Sequence, residues 1–338
     1  MTKRLSIGLV GTGRIGRVHA KTIQQYIGEA ELLAVTDVNL ESAQECAALY
    51  GIPYVAPHFE ALLADEAIQA VAICSSTDTH AQYIIEAARS GKHIFCEKPI
   101  DPSLARIDEA LKAVEQAGVK LMIGFNRRFD PNHQRIKRAI ESGEIGQPEQ
   151  LTIISRDPSP PPISYVKVSG GIFADMTIHD FDMARFLFGE VDEVYTAAAV
   201  CVDPAIGEAG DVDTTIITLK FASGALGVIE NSRRAVYGYD QRVEAFGSLG
   251  AASSENWYPN AVTISRAQGV GRDLPLNFFM DRYLVSYQAE MAAFVDSILK
   301  DLPSPVSGAD GRVPVVIAKA AARSLKENRP VRLAQITH

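Results

Sequence analysis

The first third of the chain alternates short apolar runs with longer segments in which apolar residues recur every three or four positions. The short runs predict strands and the longer segments predict helices. One helix is predicted over 103–118, with Ser103 as its N-cap and Gly118 as its end. This alternation is typical of a parallel sheet with right-handed crossovers and helices on both faces. The predicted strands lie in LSIGLVG, LLAVTD, VAICSS, HIFCEK and LMIGFN.

The pattern changes after residue 126. Asp130 and Pro131 predict the cap and first turn of a helix over 131–142, and QLTIISR at 150–156 predicts a strand. DPSPPP at 157–162 must form a loop or a stiff lid, because proline lacks the backbone donor that a sheet needs. Two helices, at about 280–300 and about 310–326, close the chain. Between 191 and 265 the strand-like runs TTIITLKF, GALGVIENS, QRVEAFGS and AVTISR favour an antiparallel or mixed sheet.

Two patterns in a chain of 338 residues predict two domains. Residues 1–126 are expected to form a doubly wound α/β domain with a parallel sheet. Residues 127–338 are expected to form a second α/β domain, whose C-terminal helix could pack back on the first.

Composition narrows the class of protein. With 47% hydrophobic and 22% charged residues, and no apolar run near the ~20 residues that span a bilayer, a membrane segment is not expected. The net charge of -8 argues against a nucleic-acid surface and favours a small-molecule partner. MTKR runs directly into LSIGLVG, which is not the pattern of a secretory leader. The four cysteines have no disulfide or metal-site spacing, so we expect free thiols in the cytoplasm, with Cys74 and Cys96 buried.

The motif GTGRIG at 11–16 predicts a dinucleotide site, because it follows a strand, opens a helix and precedes an acid, Asp37, at the end of LLAVTD. Gly11 would permit the tight turn, Gly13 the approach of a pyrophosphate, and Gly16 close packing of the helix. The helix start at Arg14 and Ile15 would supply amide donors to the phosphates.

Asp37 favours NAD over NADP, since a carboxylate accepts from ribose hydroxyls and repels a 2′-phosphate. The residues that follow it, Val-Asn-Leu, offer no arginine to receive that phosphate. CSSTDTH at 74–80 ends a further strand, so Ser75, Thr77 and His80 are candidates for the nicotinamide side. Instead of this role, or together with it, the stretch could cap the next helix through Asp78 or Thr79.

FCEKPI at 95–100 places Glu97 and Lys98 at the carboxyl end of a parallel strand, the edge where such sheets bind ligands. On the residues alone, Lys98 is either a functional cation or a surface lysine paired with Glu97.

In ADMTIHDFDMARFLFG, Asp175, His179 and Asp182 are spaced three and four apart and share a face if the segment is helical. A carboxylate one turn before an imidazole can orient a general base and stabilise its protonated form. The alternative is an acid-rich helix start, with Asp175 as cap and His179 incidental. Asp180 lies off this face and is interpreted as a solvated or structural carboxylate.

GTGRIG with Asp37, EKP at 97–99 and GGIFADMTIHDFD together resemble the Gfo/Idh/MocA oxidoreductases. GFNRRFDP and NSRRAVYGYDQR are similar to the inositol 2-dehydrogenase branch of that family. The resemblance runs over essentially the whole chain. It implies a Rossmann domain, a second domain with an open, predominantly antiparallel sheet, a catalytic triad of Lys98, Asp175 and His179, and a cis bond at Lys98-Pro99.

The activity that the resemblance implies is oxidation of myo-inositol to 2-keto-myo-inositol (scyllo-inosose) with NAD. His179 would take the hydroxyl proton, Lys98 would hold the oxygen, Asp175 would orient the imidazole, and no metal is required. Arg127 is expected to bind the cofactor, as are Glu97 and Lys98. Further candidates for the ring hydroxyls are Arg128, Arg156, Asp157, Asp182, Tyr237 and Tyr239.

Two alternatives stay open. The same triad could serve another inositol isomer or a pyranose sugar, and some relatives of this family are NAD-binding ligand sensors without turnover. The apolar alternation in TTIITLKF and GALGVIEN indicates a sheet face that another subunit covers. The resemblance implies that the assembly is a homotetramer.

Overall fold

The structure is a computed structural model that describes residues 4–337, and it divides into two compact units. The first contains the chain up to Phe129 together with Val285–Val313. The second contains Asp130–Leu284 and Pro314–Thr337. The division that we predicted near residue 126 thus lies at Phe129, and a later segment of the chain returns to the first unit.

The first unit is a six-stranded parallel sheet with the order β3-β2-β1-β4-β5-β6, as the alternating pattern predicts. Its central strand β4 is apolar and buried along its whole length, as expected for a parallel sheet with helices on both faces. The two-residue strand β3 is too short to leave a sequence pattern. The elements are β1 (Leu5–Val10), α1 (Arg14–Tyr26), β2 (Ala30–Thr36), α2 (Leu40–Tyr50), β3 (Tyr54–Val55), α3 (Phe59–Ala64), β4 (Ala70–Ile73), α4 (Thr77–Arg89), β5 (His93–Glu97), α5 (Leu104–Ala117) and β6 (Leu121–Gly124), followed by a 3-10 turn at Asn126–Phe129.

The predicted caps are where the sequence places them. Ser103 precedes α5, and Gly118 ends it in the left-handed conformation with φ of 65°. Asp130 caps the next helix by accepting from the amides of Asn132 and His133. Cys46, Cys74 and Cys96 are buried free thiols, and burial raises the pKa of each above the ordinary thiol value.

The second unit is built on a seven-stranded mixed sheet with the order β12-β11-β7-β10-β9-β8-β15. Only β7 and β10 run parallel among its neighbouring strands, so the expectation of a predominantly antiparallel sheet is confirmed. Residues 157–162 contain no helix or strand, as their prolines require. The elements are α6 (Pro131–Glu141), β7 (Pro148–Arg156), α7 (Ile163–Val166), α8 (Gly171–Asp175), α9 (Ile178–Phe188), β8 (Val191–Ala199), α10 (Pro204–Glu208), β9 (Thr214–Phe221), β10 (Leu226–Ser232), β11 (Asp240–Gly247), β12 (Gly250–Ser254), the hairpin β13 (Thr263–Arg266) and β14 (Gly269–Arg272), and α11 (Phe279–Arg282).

The last part of the chain contributes elements to both units. The helix α12 (Leu284–Leu299) belongs to the first unit beyond its first residue, and α13 (Gly308–Glu327) passes from the first unit to the second at Pro314. The strand β15 (Val331–Arg332) then pairs with β8, and a 3-10 turn follows at Leu333–Gln335. Among residues 4–337, the structure contains no helix that is long and apolar enough to cross a membrane.

The sheet of the second unit has two unlike faces, and alternation along β7 distinguishes them. Leu151, Ile153 and Ser155 are buried on the face that carries α9, which we call the packed face. The other face, which we call the open face, keeps large apolar side chains exposed. They are Ile216, Leu226 and Phe246, which are 54%, 53% and 44% exposed and lie on β9, β10 and β11.

Candidate active site

The glycine loop between β1 and α1 has the geometry that its sequence predicts. Gly11 has φ of 91°, and a Cβ there would lie 2.5 Å from the carbonyl carbon of Cys74. A Cβ on Gly16 would lie 1.8 Å from the carbonyl oxygen of Gly11. These two glycines therefore let the turn and the helix pack closely, as the motif requires.

Gly13 has a different environment. It is exposed, and a Cβ at this position would meet no atom within 4 Å. It precedes the first turn of α1, where Arg14 and Ile15 begin the helix and amide groups have no partner within it. The space over Gly13 and the helix start is therefore a cradle that a diphosphate fits.

Asp37 follows β2 and is fixed against the glycine loop. One carboxylate oxygen, Oδ2, accepts from the amide of Thr12 at 2.6 Å and from its hydroxyl at 3.1 Å. The other, Oδ1, accepts from the amide of Asn39 at 2.9 Å. A carboxylate offers about four acceptor sites, so Asp37 is held in place and keeps capacity to accept from ribose hydroxyls.

The three candidates in the segment after β4, which are Ser75, Thr77 and His80, differ in their exposure. Ser75 and Thr77 are half-buried at the start of α4, and the hydroxyls of Ser75 and Thr79 are 2.6 Å apart. The helix is capped at Ser76, without a side-chain cap bond, so neither Asp78 nor Thr79 is the N-cap. His80 is only 2% exposed.

The ring of His80 lies against the backbone that carries Lys98. Its Nδ1 is 2.8 Å from the carbonyl oxygen of Pro99, and its Nε2 is 3.1 Å from that of Ser75. Burial lowers the pKa of His80, and the two carbonyl contacts oppose this effect. In this conformation His80 ties the end of β4 to the turn after β5.

Lys98 follows β5, and its bond to Pro99 is cis, which confirms the expectation. Glu97, the last residue of β5, is 7% exposed, and its Oε1 is 2.7 Å from Nε2 of His19 on α1. Glu290 on α12 joins them, and ligand atoms of the three side chains lie within 4.8 Å of one another. The carboxylate of Glu97 is thus part of a buried cluster beneath the strand end, while Lys98 is half-buried.

Arg127 and Arg128 are both buried in the turn after β6, at 6% and 7% exposure. Arg128 pairs with Asp310 at 3.3 Å, and Asp310 also accepts from the amide and hydroxyl of Ser307. Arg128 therefore ties this turn to the start of α13.

The segment around His179 is not one helix. The short helix α8 ends at Asp175 and α9 begins at Ile178, so Met176 and Thr177 separate two helices. The amide of Thr177 donates to the carbonyl of Ile172, five residues back, and its hydroxyl donates to Asn231 at 2.6 Å. Asp175 and His179 thus flank the break.

Asp175 is held from two sides. Its Oδ1 accepts from the hydroxyl of Tyr165 on α7 at 2.8 Å. Its Oδ2 is 3.4 Å from Nη1 of Arg233, which follows β10 and is 1% exposed. Neither partner was among the candidates from the sequence.

Asp180 is fully buried, so the structural interpretation holds and the solvated one does not. It accepts from the hydroxyl of Ser155 at 2.7 Å and from the amide nitrogen of Asn231 at 2.8 Å. These bonds fasten the start of α9 to β7 and β10 on the packed face. Asp182 is 1% exposed on the same helix.

The candidates Arg156 and Tyr237 lie on the open face. Arg156 donates to the hydroxyl of Tyr237 at 3.0 Å, to Asp240 at 3.3 Å and to Glu230 at 3.1 Å. Tyr237 donates to Asp240 at 2.6 Å. The structure therefore brings these two candidates together with each other, on the opposite side of the sheet from α9.

Asp157 and Tyr239 have the opposite placement. Asp157 continues β7, because its backbone N–H donates to the carbonyl of Ser232, and alternation therefore directs its side chain to the side of Ser155 and α9. Tyr239 is 7% exposed and packs edge-on against Tyr283 with ring centres 6.1 Å apart. Tyr283 in turn contacts Gln241 at 3.5 Å, a residue that also bonds to Ser155.

The parallel sheet, its glycine loop and the acid at the end of β2 define a dinucleotide-dependent oxidoreductase, and the chain belongs to the Gfo/Idh/MocA family. Residues 5–125 match the model of the oxidoreductase family with NAD-binding Rossmann fold, and residues 133–253 match the GFO/IDH/MocA C-terminal domain.

Similar proteins cover the full chain. A myo-inositol 2-dehydrogenase of Thermotoga maritima is 47% identical, over 98% of this chain and 99% of the relative. An inositol 2-dehydrogenase of Rhizobium meliloti is 48% identical, over 97% and 98%. The crystal structure of scyllo-inositol dehydrogenase from Lactobacillus casei with bound NAD(H) and scyllo-inositol has a TM-score of 0.92 at 30% identity, covering 98% of this chain and 100% of that one.

Proposed function

We propose that this protein is an NAD-dependent inositol 2-dehydrogenase that oxidises myo-inositol to 2-keto-myo-inositol. The observation that carries the proposal is the fit of the glycine loop to NAD, with an open cradle over Gly13 and Asp37 fixed beside it. The full-length similarity to inositol 2-dehydrogenases supports the choice of substrate.

NAD, when bound, accepts the hydride that leaves the carbinol carbon. The protein supplies the rest of the chemistry. His179 takes the proton of the hydroxyl group as general base. Asp175 orients the imidazole and favours its protonated form, and Lys98 holds the hydroxyl and stabilises negative charge that develops on the oxygen. In the reverse reaction the same groups exchange roles.

On the cofactor side, we assign the diphosphate to Gly11, Gly13 and Gly16 with the helix start at Arg14 and Ile15. Asp37 takes the ribose hydroxyls. Ser75 and Thr77 are assigned to the nicotinamide side with Glu97, Lys98 and Arg127. His80 is assigned an indirect role on the cofactor side, because its ring contacts the carbonyl oxygen of Pro99, the residue after Lys98.

For the ring hydroxyls, we propose Asp157, Asp182 and Tyr239 as contacts beside the triad. All three lie on or toward the side of the sheet that carries α9. Arg156 and Tyr237 contact each other and Asp240 on the open face, so we assign them to that network rather than to substrate. Arg128 is assigned to its ion pair with Asp310.

A second substrate, scyllo-inositol, is favoured by one observation, the fold similarity to the Lactobacillus casei enzyme bound to it. The two isomers differ in the orientation of one hydroxyl, so the contacts of Asp157 and Asp182 would decide between them. The gain or loss of one hydrogen bond between a substrate hydroxyl and a buried site changes the free-energy difference between two substrates by about 1 to 3 kcal/mol.

We also propose that the protein is a cytoplasmic homotetramer in which the open face is buried between subunits. Its exposed apolar side chains at Ile216, Leu226 and Phe246 support this assignment.

The function is tested by following NADH absorbance with a panel of inositol isomers and hexoses, each with NAD and with NADP. The expected result is turnover with NAD and myo-inositol, and weak turnover with NADP. Equal catalytic efficiency with NADP would contradict the role of Asp37. An NAD-binding protein with no turnover on any compound in the panel would be a ligand sensor instead.

A further inference from the structure

Arg233 lies between two carboxylates of the second unit. It is 1% exposed, with Nη1 at 3.4 Å from Asp175 and Nη2 at 3.7 Å from Asp211. Its own amide donates to the carbonyl of Asp213 at 2.9 Å, which fixes the backbone directly after β10. A buried guanidinium is retained at a site when its carboxylate partners neutralise it.

The two carboxylates hold the two ends of α8. Asp211 accepts from the amide of Ile172 at 3.1 Å, and a Cβ on Gly171 would lie 3.0 Å from the same carboxylate. Asp175 is the last residue of that helix. Arg233 therefore connects the start and the end of the five-residue helix that delivers Asp175 to the break before His179.

The net charge of Arg233 and its two carboxylate partners bears on the protonation of His179. Asp211, Arg233 and Asp175 carry one net negative charge together, and Tyr165 contributes a neutral hydroxyl donor to Asp175. A single net negative charge favours protonation of a nearby imidazole, whereas two would favour it more strongly and none would not favour it. Against Asp175 lie Tyr165 on α7 and Arg233 after β10, and Asp211, before β9, lies against Arg233.

We propose that Arg233 is a positioning residue that holds the carboxylate of Asp175 and sets the negative charge that Asp175 presents to His179. The inference rests on the proposed function, in which Asp175 orients the general base. Arg233 itself touches neither cofactor nor substrate in this proposal.

The test is the titration of His179, followed by NMR in histidine-labelled protein and assigned with His179→Asn. Arg233→Met removes the cation and keeps a long side chain, so the midpoint for His179 should rise by about one pH unit. Asp211→Asn keeps an oxygen that can accept from Ile172 and removes one negative charge, so the midpoint should fall. Arg233→Lys should stay near the wild type. His58, whose side chain is 62% exposed, is the internal control and should not move.

Opposite shifts in Arg233→Met and Asp211→Asn would support the proposal, and an unchanged midpoint in both folded variants would overturn it. If Arg233→Met does not fold, the Asp211→Asn and Arg233→Lys measurements decide alone. The NMR titration does not depend on turnover, so it separates this inference from the proposed function. In an active enzyme, the acid limb of the kcat/KM profile should move in the same directions, with kcat about tenfold lower in Arg233→Met.

Discussion

At the scale of single residues, the three glycines of the cofactor loop have different physical tasks. Gly11 and Gly16 are required by contacts within the protein, whereas Gly13 has open space above it. The motif predicts all three positions, but only the structure separates the two glycines that contacts within the protein require from Gly13, which we propose that the cofactor requires.

Alanine substitutions distinguish these tasks. Gly16→Ala places a methyl group 1.8 Å from a carbonyl oxygen, so we expect a large fall in Tm. A cost above about 3 kcal/mol is the size expected for a clash with buried backbone. Gly13→Ala should leave Tm unchanged and raise the Kd for NAD about tenfold or more. Gly28→Ala, where a Cβ also meets nothing within 4 Å, is the control and should change neither quantity. Normal NAD affinity in Gly13→Ala would refute the cradle.

Lys98 is the residue whose role the sequence alone left between catalysis and a surface ion pair. The structure places Glu97 in a buried cluster with His19, so the carboxylate next to Lys98 in sequence has another partner.

Lys98→Ala should lower kcat by about 10² or more, because a cation beside the developing alkoxide would be lost. The Kd for NAD, measured by fluorescence titration, should change little. Lys112→Ala, at an exposed position on α5, serves as the matched control. Turnover near that of the control would show that Lys98 is structural.

At the scale of elements, the periodic patterns predict five of the six Rossmann strands, because each of the five lies in an apolar run between helical segments, whereas the two-residue β3 leaves no pattern. Local spacing did not predict the break between α8 and α9. At this break the hydroxyl of Thr177 donates to Asn231, which lies 54 residues later and leaves no local pattern. For the same reason Arg233 was missed as a partner of Asp175. Local spacing identified Asp175 and His179, but not the residues that hold them.

The face on which Arg156 lies was harder to predict. In QLTIISR, buried residues alternate with Thr152 and Ile154, and the apolar Ile154 conceals the alternation that would have placed Arg156 opposite Ser155. On the neighbouring strand β11, Asp240 pairs with Arg156, so its side chain also lies on the open face.

Asp240 anchors the open-face network and predicts a stability that depends on pH. Burial raises its pKa, but bonds from Arg242, Tyr237 and Asn256 outweigh burial and lower it below the ordinary carboxyl value. A lowered pKa means that the stabilisation is fully present above about pH 4 and is lost as the pH falls through the folded-state value. Asp240→Asn should therefore cost about 2 kcal/mol near neutral pH and less in acid.

Urea unfolding of Asp240→Asn and wild type at pH 7 and in acid measures this difference. Asp192→Asn, an exposed position on β8, is the control and should cost little at either pH. A cost for Asp240→Asn that is independent of pH would contradict the role of the ionised carboxylate.

At the scale of the whole molecule, the open face is the feature that favours an assembly over a single chain. A sheet that exposes Ile216, Leu226 and Phe246 together presents an apolar surface of the kind that subunit interfaces bury.

Ile216→Lys should dissociate the assembly, because a charge would have to be buried at the interface. Light scattering should give a tetramer mass for the wild type and a smaller mass for this variant. Ile264→Lys is the control, since Ile264 is 47% exposed on the hairpin rather than on the open face. A monomeric wild type would contradict the assignment.

In the proposed reaction, a hydride leaves C2 of myo-inositol for NAD while the protein takes the proton. Myo-inositol carrying deuterium at C2, incubated with the protein and NAD, tests this most directly. Mass spectrometry and NMR should find the deuterium at C4 of the reduced nicotinamide, with 2-keto-myo-inositol as the product. Reduced cofactor without deuterium, or deuterium kept in a ketone formed at another carbon, would contradict it.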